Sequence, residues 1–184
     1  MFEAEDQKII EQNTAKLNVE EPKLHADGTT QWLRTTVIPL HDEMGKVFGV
    51  LGCYEDISDR KQTEQALMLY KKAVEGSSDA IAFADPAGNH FYQNRSFSRL
   101  YECATPQIFN EFGGLAATFT DAEVAQKILE MILAGKAWMG EAEQRSRHDR
   151  IMQTLIRAYA IRNEQDEVVG LVSAITDTTD LKQA

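Results

Sequence analysis

A chain of 184 residues, 43% hydrophobic and 26% charged, has room for one or two globular domains with real cores. Its 29 acidic residues against 19 basic ones leave a formal charge of −10, spread along the chain. That disfavours a nucleic-acid surface or an anionic membrane as partner, since both need basic patches. No apolar run approaches the ~20 residues of a membrane span. The acidic start Met1-Phe2-Glu3-Ala4-Glu5-Asp6 does not resemble a signal peptide, so the expected compartment is cytoplasmic. Cys53 and Cys103 stand in no CxxC pair and read as two reduced thiols. His25, His41, His90 and His148 lack ligand-like spacing, and no metal site is expected.

Residues from Ala4 to Gln12 read as the end of a short polar helix. From Leu17 the pattern turns to strands. Leu17-Asn18-Val19 leads to a turn at Asp27-Gly28, and the β-branched run Trp32 to Ile38 follows. Asp42-Glu43-Met44-Gly45 reverses the chain, and Val47 to Tyr54 is a third strand. This meander feeds a helix expected over Asp59 to Glu75, with Asp59 as N-cap and Gln62 completing a capping box. Thr63, Leu67, Tyr70 and Val74 form one stripe along it, and Gly76 stands where a C-cap glycine belongs.

Ser77-Ser78-Asp79 is a loop and Ala80 to Ala84 a short strand. Asp85-Pro86-Ala87-Gly88 is a type I turn sequence that brings His90-Phe91-Tyr92-Gln93 back as hairpin partner. A short helix after Asn94 carries Phe97, Leu100 and Tyr101. Thr105-Pro106 opens another with Ile108, Phe109 and Phe112, broken at Gly113-Gly114. Thr120-x-x-Glu123 reads as a second capping box, opening a helix with Val124, Ile128, Leu129, Ile132 and Leu133 on one face before Gly135. Strands are expected over Trp138 to Ser146, Met152 to Arg162 and Val168 to Thr176. One antiparallel sheet with helices on one face is the economical packing, which is the α+β class.

The chain also repeats itself. Asp56-Ile57-Ser58-Asp59-Arg60-Lys61-Gln62 returns as Asp177-Thr178-Thr179-Asp180-Leu181-Lys182-Gln183, each position moved as 56 is to 177. The register holds upstream without a gap, pairing Gly49 with Gly170, Val47 with Val168 and Glu43 with Glu164. One structural unit therefore ends at each Asp-x-(Ser/Thr).

These residues carry a family likeness. The second unit resembles a complete PAS domain, a small sensory module of bacterial signalling proteins. The likeness lies in Asp85-x-x-Gly88, the aromatic residues and Asn94 beyond it, the Phe97/Leu100 helix, and the run from Gly170 to Asp177-x-Thr179. The first unit resembles only the back half, the PAC segment, in Asp27-Gly28, Trp32, Pro39-Leu40, Gly45, Gly49 and Asp56-Ile57-Ser58-Asp59-Arg60-Lys61. Glu102 stands where the family usually has glycine, and Leu181 replaces the Arg found at Arg60. The expected organisation is a partial three-stranded PAC unit over 1–58, a signalling or linker helix over 59–76, and a complete PAS domain over 77–184. The latter is expected to be a PAS-like five-stranded antiparallel sheet with helices on one face, ending where an output helix begins.

The resemblance implies sensing. A ligand or cofactor in the core would bias the sheet, and the change would pass into the helix after each phrase through Asp56 and Ser58, or Asp177 and Thr179, whose side chains can bond backbone at the strand–helix junction. Plain N-capping explains the same residues. Family habit makes Leu67, Tyr70 and Val74 a dimer seam, and a homodimer the expected state. Pocket candidates are Phe83, Asn94, Phe97, Tyr101, Ile108, Phe112, Ile128, Ile132, Trp138, Ile156 and Ala158, although apolar residues at such spacing are usually core. Asn94 and the small Ala158 and Ala160 are the better marks of a cavity. Leu155, Tyr159 and Ile161 are the alternative inward set, and Arg157 on that same face weighs mildly against it.

A haem-binding relative would offer a histidine on the long helix, and Asp121 to Ala134 has none. A covalent-flavin LOV domain carries Asn-Cys-Arg-Phe, which Tyr101-Glu102-Cys103-Ala104 does not match. A small metabolite or non-covalent flavin stays open as cofactor. Neither a phosphate-binding GxxxxGK[ST] loop nor a G-x-S-x-G elbow occurs. His41 lacks the setting of a phosphoacceptor, and Glu111-Phe112-Gly113-Gly114 is only superficially like a cyclase motif. The chain is therefore expected to be non-catalytic and to serve a parent sensor with a C-terminal output domain, histidine kinase or diguanylate cyclase. The alternative is a PAS-based dimerisation and interaction module with no ligand.

Overall fold

The computed structural model describes residues 2–180, and the chain divides into two compact units, Met1–Leu69 and Tyr70–Ala184. The expected helix start beyond Asp180 lies outside the described residues.

The first unit opens with α1 (Phe2–Gln12) and continues as the antiparallel meander β1 (Lys16–Leu24), β2 (Thr30–His41) and β3 (Val47–Asp56). Side chains alternate across a strand, and Leu33, Thr35 and Val37 of β2 are the buried set. Helix α1 packs on β2 and β3 and buries Ile9. Between β2 and β3 the Asp42 carboxylate accepts the backbone N–H groups of Met44 and Lys46 at 3.0 and 2.9 Å. Gly45 there has φ +77°, which glycine adopts without the Cβ penalty.

Helix α2 (Ser58–Glu75) begins earlier than the capping-box reading placed it. Asp56 Oδ1 accepts the Ser58 N–H at 2.9 Å, so the acid before the junction turns the chain. Asp59 is not the cap. It lies in the first turn, where a negative charge faces the positive end of the helix dipole. None of the residues of α2 is buried.

The second unit has a five-stranded antiparallel sheet in the order β5-β4-β8-β7-β6. The strands are β4 (Ala80–Ala84), β5 (His90–Gln93), β6 (Trp138–Arg145), β7 (Ile151–Arg162) and β8 (Val168–Asp177). Between β5 and β6 run α3 (Arg95–Tyr101), α4 (Pro106–Glu111), α5 (Gly114–Thr118) and α6 (Ala122–Leu133). Asn94 caps α3 and Thr105 caps α4, as their positions in the sequence suggest. For α6 the cap is Asp121, whose carboxylate takes the Glu123 N–H at 2.9 Å. Thr120 instead bonds the Glu143 carbonyl, so its capping-box reading is corrected. Helix α5 was not anticipated. Gly113 (φ +111°) and Gly114 (φ +64°) do not simply end α4; they swing the chain into a further turn of helix.

The core lies between sheet and helices. Rings of Phe97, Tyr101 and Phe109 pack within 4.6–5.5 Å of one another, beside Ile128, Ile132, Met152 and Ile156. Glu102 closes α3 in the left-handed region (φ +57°), the conformation for which glycine was expected. Its carboxylate accepts from the Ser146 hydroxyl, which ties this turn to the end of β6.

Candidate functional site

Strand pairing in the second unit sets small side chains side by side. Ala82 of β4 stands opposite Ser173 of β8, and Ser173 opposite Ala158 of β7. The next row sets Ala84 against Leu171. A floor with so little side-chain volume leaves a cavity of about 320 Å³ beneath the helices. Ile128, Leu129 and Ile132 of α6 form one wall, and Gly113, Gly114 and Leu115 form another. His90, at the start of β5, and Asn110, at the end of α4, close the hairpin side.

These last two are coupled. Asn110 Oδ1 accepts the His90 N–H, and Asn110 Nδ2 donates to the His90 carbonyl, both at 2.9 Å. The amide acts as a short strand partner for one residue. The His90 ring is 6% exposed and lies 4.5 Å from the Phe109 ring and 5.5 Å from that of Phe97. Burial pushes its pKa down to about 4, so the ring is neutral near pH 7. Its Nδ1 is buried without a hydrogen-bond partner among the described residues.

Of the pocket candidates, Ile128, Ile132 and Ala158 line this cavity. The strand phase is that of Ile156 and Ala158, which are buried, while Tyr159 and Ile161 are exposed. Phe83 lies on the other side of the sheet from Ala82 and Ala84, against the rings of Phe91 and Tyr92. Phe97, Tyr101 and Ile156 are core, Ile108 and Trp138 pack at its margin, and Phe112 is half-buried at the end of α4. The sequence reading marked Ala158 of the floor as a sign of a cavity and missed His90, Asn110, Ala82 and Ser173. The signal for Ala82 was there in Ala80-x-Ala82-x-Ala84, three small residues at the strand period.

Asn94 is fully buried and does not face the cavity. Its Oδ1 accepts from Ile81 N–H at 3.0 Å and Phe97 N–H at 2.9 Å. Its Nδ2 donates to the carbonyls of Val74 and Asp79, both at 2.9 Å. All its amide groups serve to clasp the end of α2, the start of β4 and the start of α3 together. A second closed network lies below Tyr101. Gln144 Oε1 accepts from Tyr101 Oη (2.7 Å) and Thr154 Oγ1 (2.8 Å), while Gln144 Nε2 donates to Thr118 Oγ1 (2.8 Å).

The Asp-x-(Ser/Thr) phrases are built alike in the two units. Ser58 Oγ accepts the Trp32 N–H, and Thr179 Oγ1 the Gln153 N–H, each at 3.0 Å. Asp177 Oδ1 takes the Thr179 N–H as Asp56 takes that of Ser58. Bonds from Ser58 and Gln31 hold the Asp56 carboxyl down at about 2. In the first unit Lys61 adds a 2.7 Å ion pair to Glu20 of β1 and lies over the Trp32 ring.

A PAS domain family model matches residues 78–180, and a second model, of the PAS fold, matches residues 2–62. The chain belongs to the PAS domain family. The methanogenesis regulatory histidine kinase FilI of Methanothrix harundinacea (strain 6Ac) is 24% identical over 118 residues, which is 62% of this chain but only 13% of that kinase. The PAS domain of a Colwellia psychrerythraea protein superposes with a TM-score of 0.55 at 21% identity, covering 62% of this chain and 98% of that one. A domain of a sensory box sensor histidine kinase/response regulator from Geobacter sulfurreducens gives 0.53 at 13% identity, covering 62% and 96%. These structural likenesses show the α+β PAS fold. The sequence relation to a sensor kinase supports a sensory role, and neither matching family model is that of a catalytic domain. No helix among the described residues is long and apolar enough to cross a membrane.

Proposed function

We propose that the second unit senses a small molecule held in the cavity between Ser173 and α6, and that the chain relays its occupancy through the helices at the Asp-x-(Ser/Thr) phrases. The observation that carries this reading is the cavity itself. A floor of Ala82, Ser173 and Ala158 leaves about 320 Å³ open, at the lower end of the usual size of ligand pockets. A domain that served only as a packed interaction block would fill that row with larger side chains.

In this reading residues 1–58 are a PAC segment, 59–76 a signalling helix and 77–184 the sensing domain. Each phrase couples the last strand of its unit to the next segment of the chain, through Asp56 and Ser58 or through Asp177 and Thr179. The parent protein is a cytoplasmic sensor, and a histidine kinase output fits the FilI relation. Native mass spectrometry of the purified protein tests the sensing step. The expected result is a mass increment that disappears on denaturation and is absent from Ser173→Phe, which fills the floor. An increment that survives in a folded Ser173→Phe protein overturns the assignment of the site.

A second reading, an interaction module that dimerises, is favoured by α2. Leu67 is 63% exposed and Tyr70 65%, and Met68 and Leu69 are exposed with them, while Val74 is half-buried. Such a run on a helix without buried residues suits a seam with a second copy. Sedimentation of Leu67→Glu beside the unaltered protein decides it. A dimer that the substitution splits supports the seam, and equal masses remove it.

A further inference from the structure

We propose that the cavity takes an uncharged, planar molecule of about two fused rings that presents a hydrogen-bond acceptor to His90. The inference rests on the sensing reading above and goes further in naming the ligand's chemistry.

Size comes first. An apolar cavity of about 150 Å³ accommodates benzene, and this one has about twice that volume. Charge comes next. None of the lining residues is Asp, Glu, Lys or Arg. A carboxylate or phosphate here would lose its hydration with no cation to replace it, a cost that binding rarely recovers. The walls, from Ala82 to Ile132, suit an apolar ring.

The polar point is set by which groups are already engaged. Asn110 is held in place by two bonds to the His90 backbone, and Asn89 by its bond to Asp85. The side chains of His90 and Ser173 make no hydrogen bond among the described residues, so they are the polar groups left wholly to a ligand. His90 Nδ1 is sealed from water and has no partner among the described residues. A buried N–H with no acceptor is the costlier way to leave a ring nitrogen, so the proton of the neutral ring belongs on Nε2. Nε2, the ring nitrogen that is not sealed in, is therefore a donor on a residue that lines the cavity, and the complementary ligand brings an acceptor.

Quinoline, naphthalene and quinoline-2-carboxylate share a bicyclic frame and separate the claims when titrated into the full chain in mildly alkaline buffer, where quinoline is uncharged. Quinoline is expected to bind about five- to tenfold more tightly than naphthalene, the difference one net hydrogen bond supplies. The carboxylate is expected not to bind. His90→Phe, which keeps a ring against Phe109, is expected to make quinoline and naphthalene equal. An independent readout needs no variant: ¹⁵N spectra of histidine-labelled protein should show His90 as the Nε2–H tautomer, with Nε2 shifting on addition of quinoline and not of naphthalene. Equal binding of quinoline and naphthalene by the unaltered protein, binding of the carboxylate, or an Nδ1–H tautomer overturns the acceptor-to-His90 assignment while leaving a ligand cavity in place. Binding of none of the three removes the cavity reading as well.

Discussion

The side-chain amide of Asn94 donates to the Val74 carbonyl at 2.9 Å, so one buried residue fastens the last turn of α2 to the sheet and helices of the sensing unit. Glu75 adds to the fastening, accepting from the Tyr92 hydroxyl and the Arg95 N–H. The clasp joins the start of β4 and the start of α3 to the end of α2. Asn94→Ala leaves the N–H groups of Ile81 and Phe97 without their acceptor and removes the cap of α3. The expected loss is about 3 kcal/mol in urea unfolding. Amide exchange should also quicken through residues 72–81. A loss below about 1 kcal/mol, with exchange unchanged, would show that Asn94 is no clasp.

Thr179 and Ser58 make the same bond to the strand beside them, and each should be separately measurable. Thr179→Val keeps the shape and leaves the Gln153 N–H without its acceptor, at an expected cost of about 1 kcal/mol. Ser58→Ala does so for the Trp32 N–H. In hydrogen exchange Thr179→Val should expose Gln153 and spare Trp32, and Ser58→Ala the reverse.

Gln144 is the centre of the network under Tyr101, and removing the centre should cost more than removing one spoke. Gln144→Leu strands the Tyr101 hydroxyl in a dry core and takes a partner from Thr154 and Thr118, an expected loss of about 3 kcal/mol. Tyr101→Phe loses one bond, and Gln144 Oε1 keeps Thr154 as donor, so about 1 kcal/mol is expected. The penalty for a stranded buried group sets this order. Equal losses in denaturant titrations would mean that water enters and satisfies the Tyr101 hydroxyl.

The fold was legible because its signals are local. Strand alternation in Trp32 to Ile38 and Trp138 to Ser146, the turn at Asp85-Pro86-Ala87-Gly88 and the caps Asn94 and Thr105 each act over a few residues. The repeat added register: Asn163 Oδ1 accepts from Gln165 and Glu167 as Asp42 does from Met44 and Lys46. The cavity was not legible in the same way. It exists because Ala82, Ser173 and Ala158, far apart in the chain, meet in one row, and pairing across strands cannot be read from any single stretch. For the same reason large residues were mistaken for lining. Phe97 and Tyr101 fill space, and a cavity is found where side chains are small.

His90 should give the protein a stability profile in a pH window of its own. Burial holds its pKa at about 4, against 6.5 for the free side chain. The unfolded chain takes up a proton near 6.5 that the native ring refuses, so stability is present in full above that pH and falls as pH drops towards 4. Below about 4 the native ring is protonated too and the loss levels off. At about 1.4 kcal/mol per unit, the fall amounts to about 3 kcal/mol. The groups packed on the ring, Phe97, Phe109 and Asn110, carry no charge that would oppose this. His25, His41 and His148 are exposed. Asp56, Asp85 and Glu102 are held low by hydrogen bonds, so what they contribute is lost only at more acid pH. Urea midpoints measured between about pH 7 and pH 4.5 should therefore fall for the unaltered protein and stay nearly level for His90→Phe. Parallel curves for the two proteins would mean that the His90 ring reaches water in the native state.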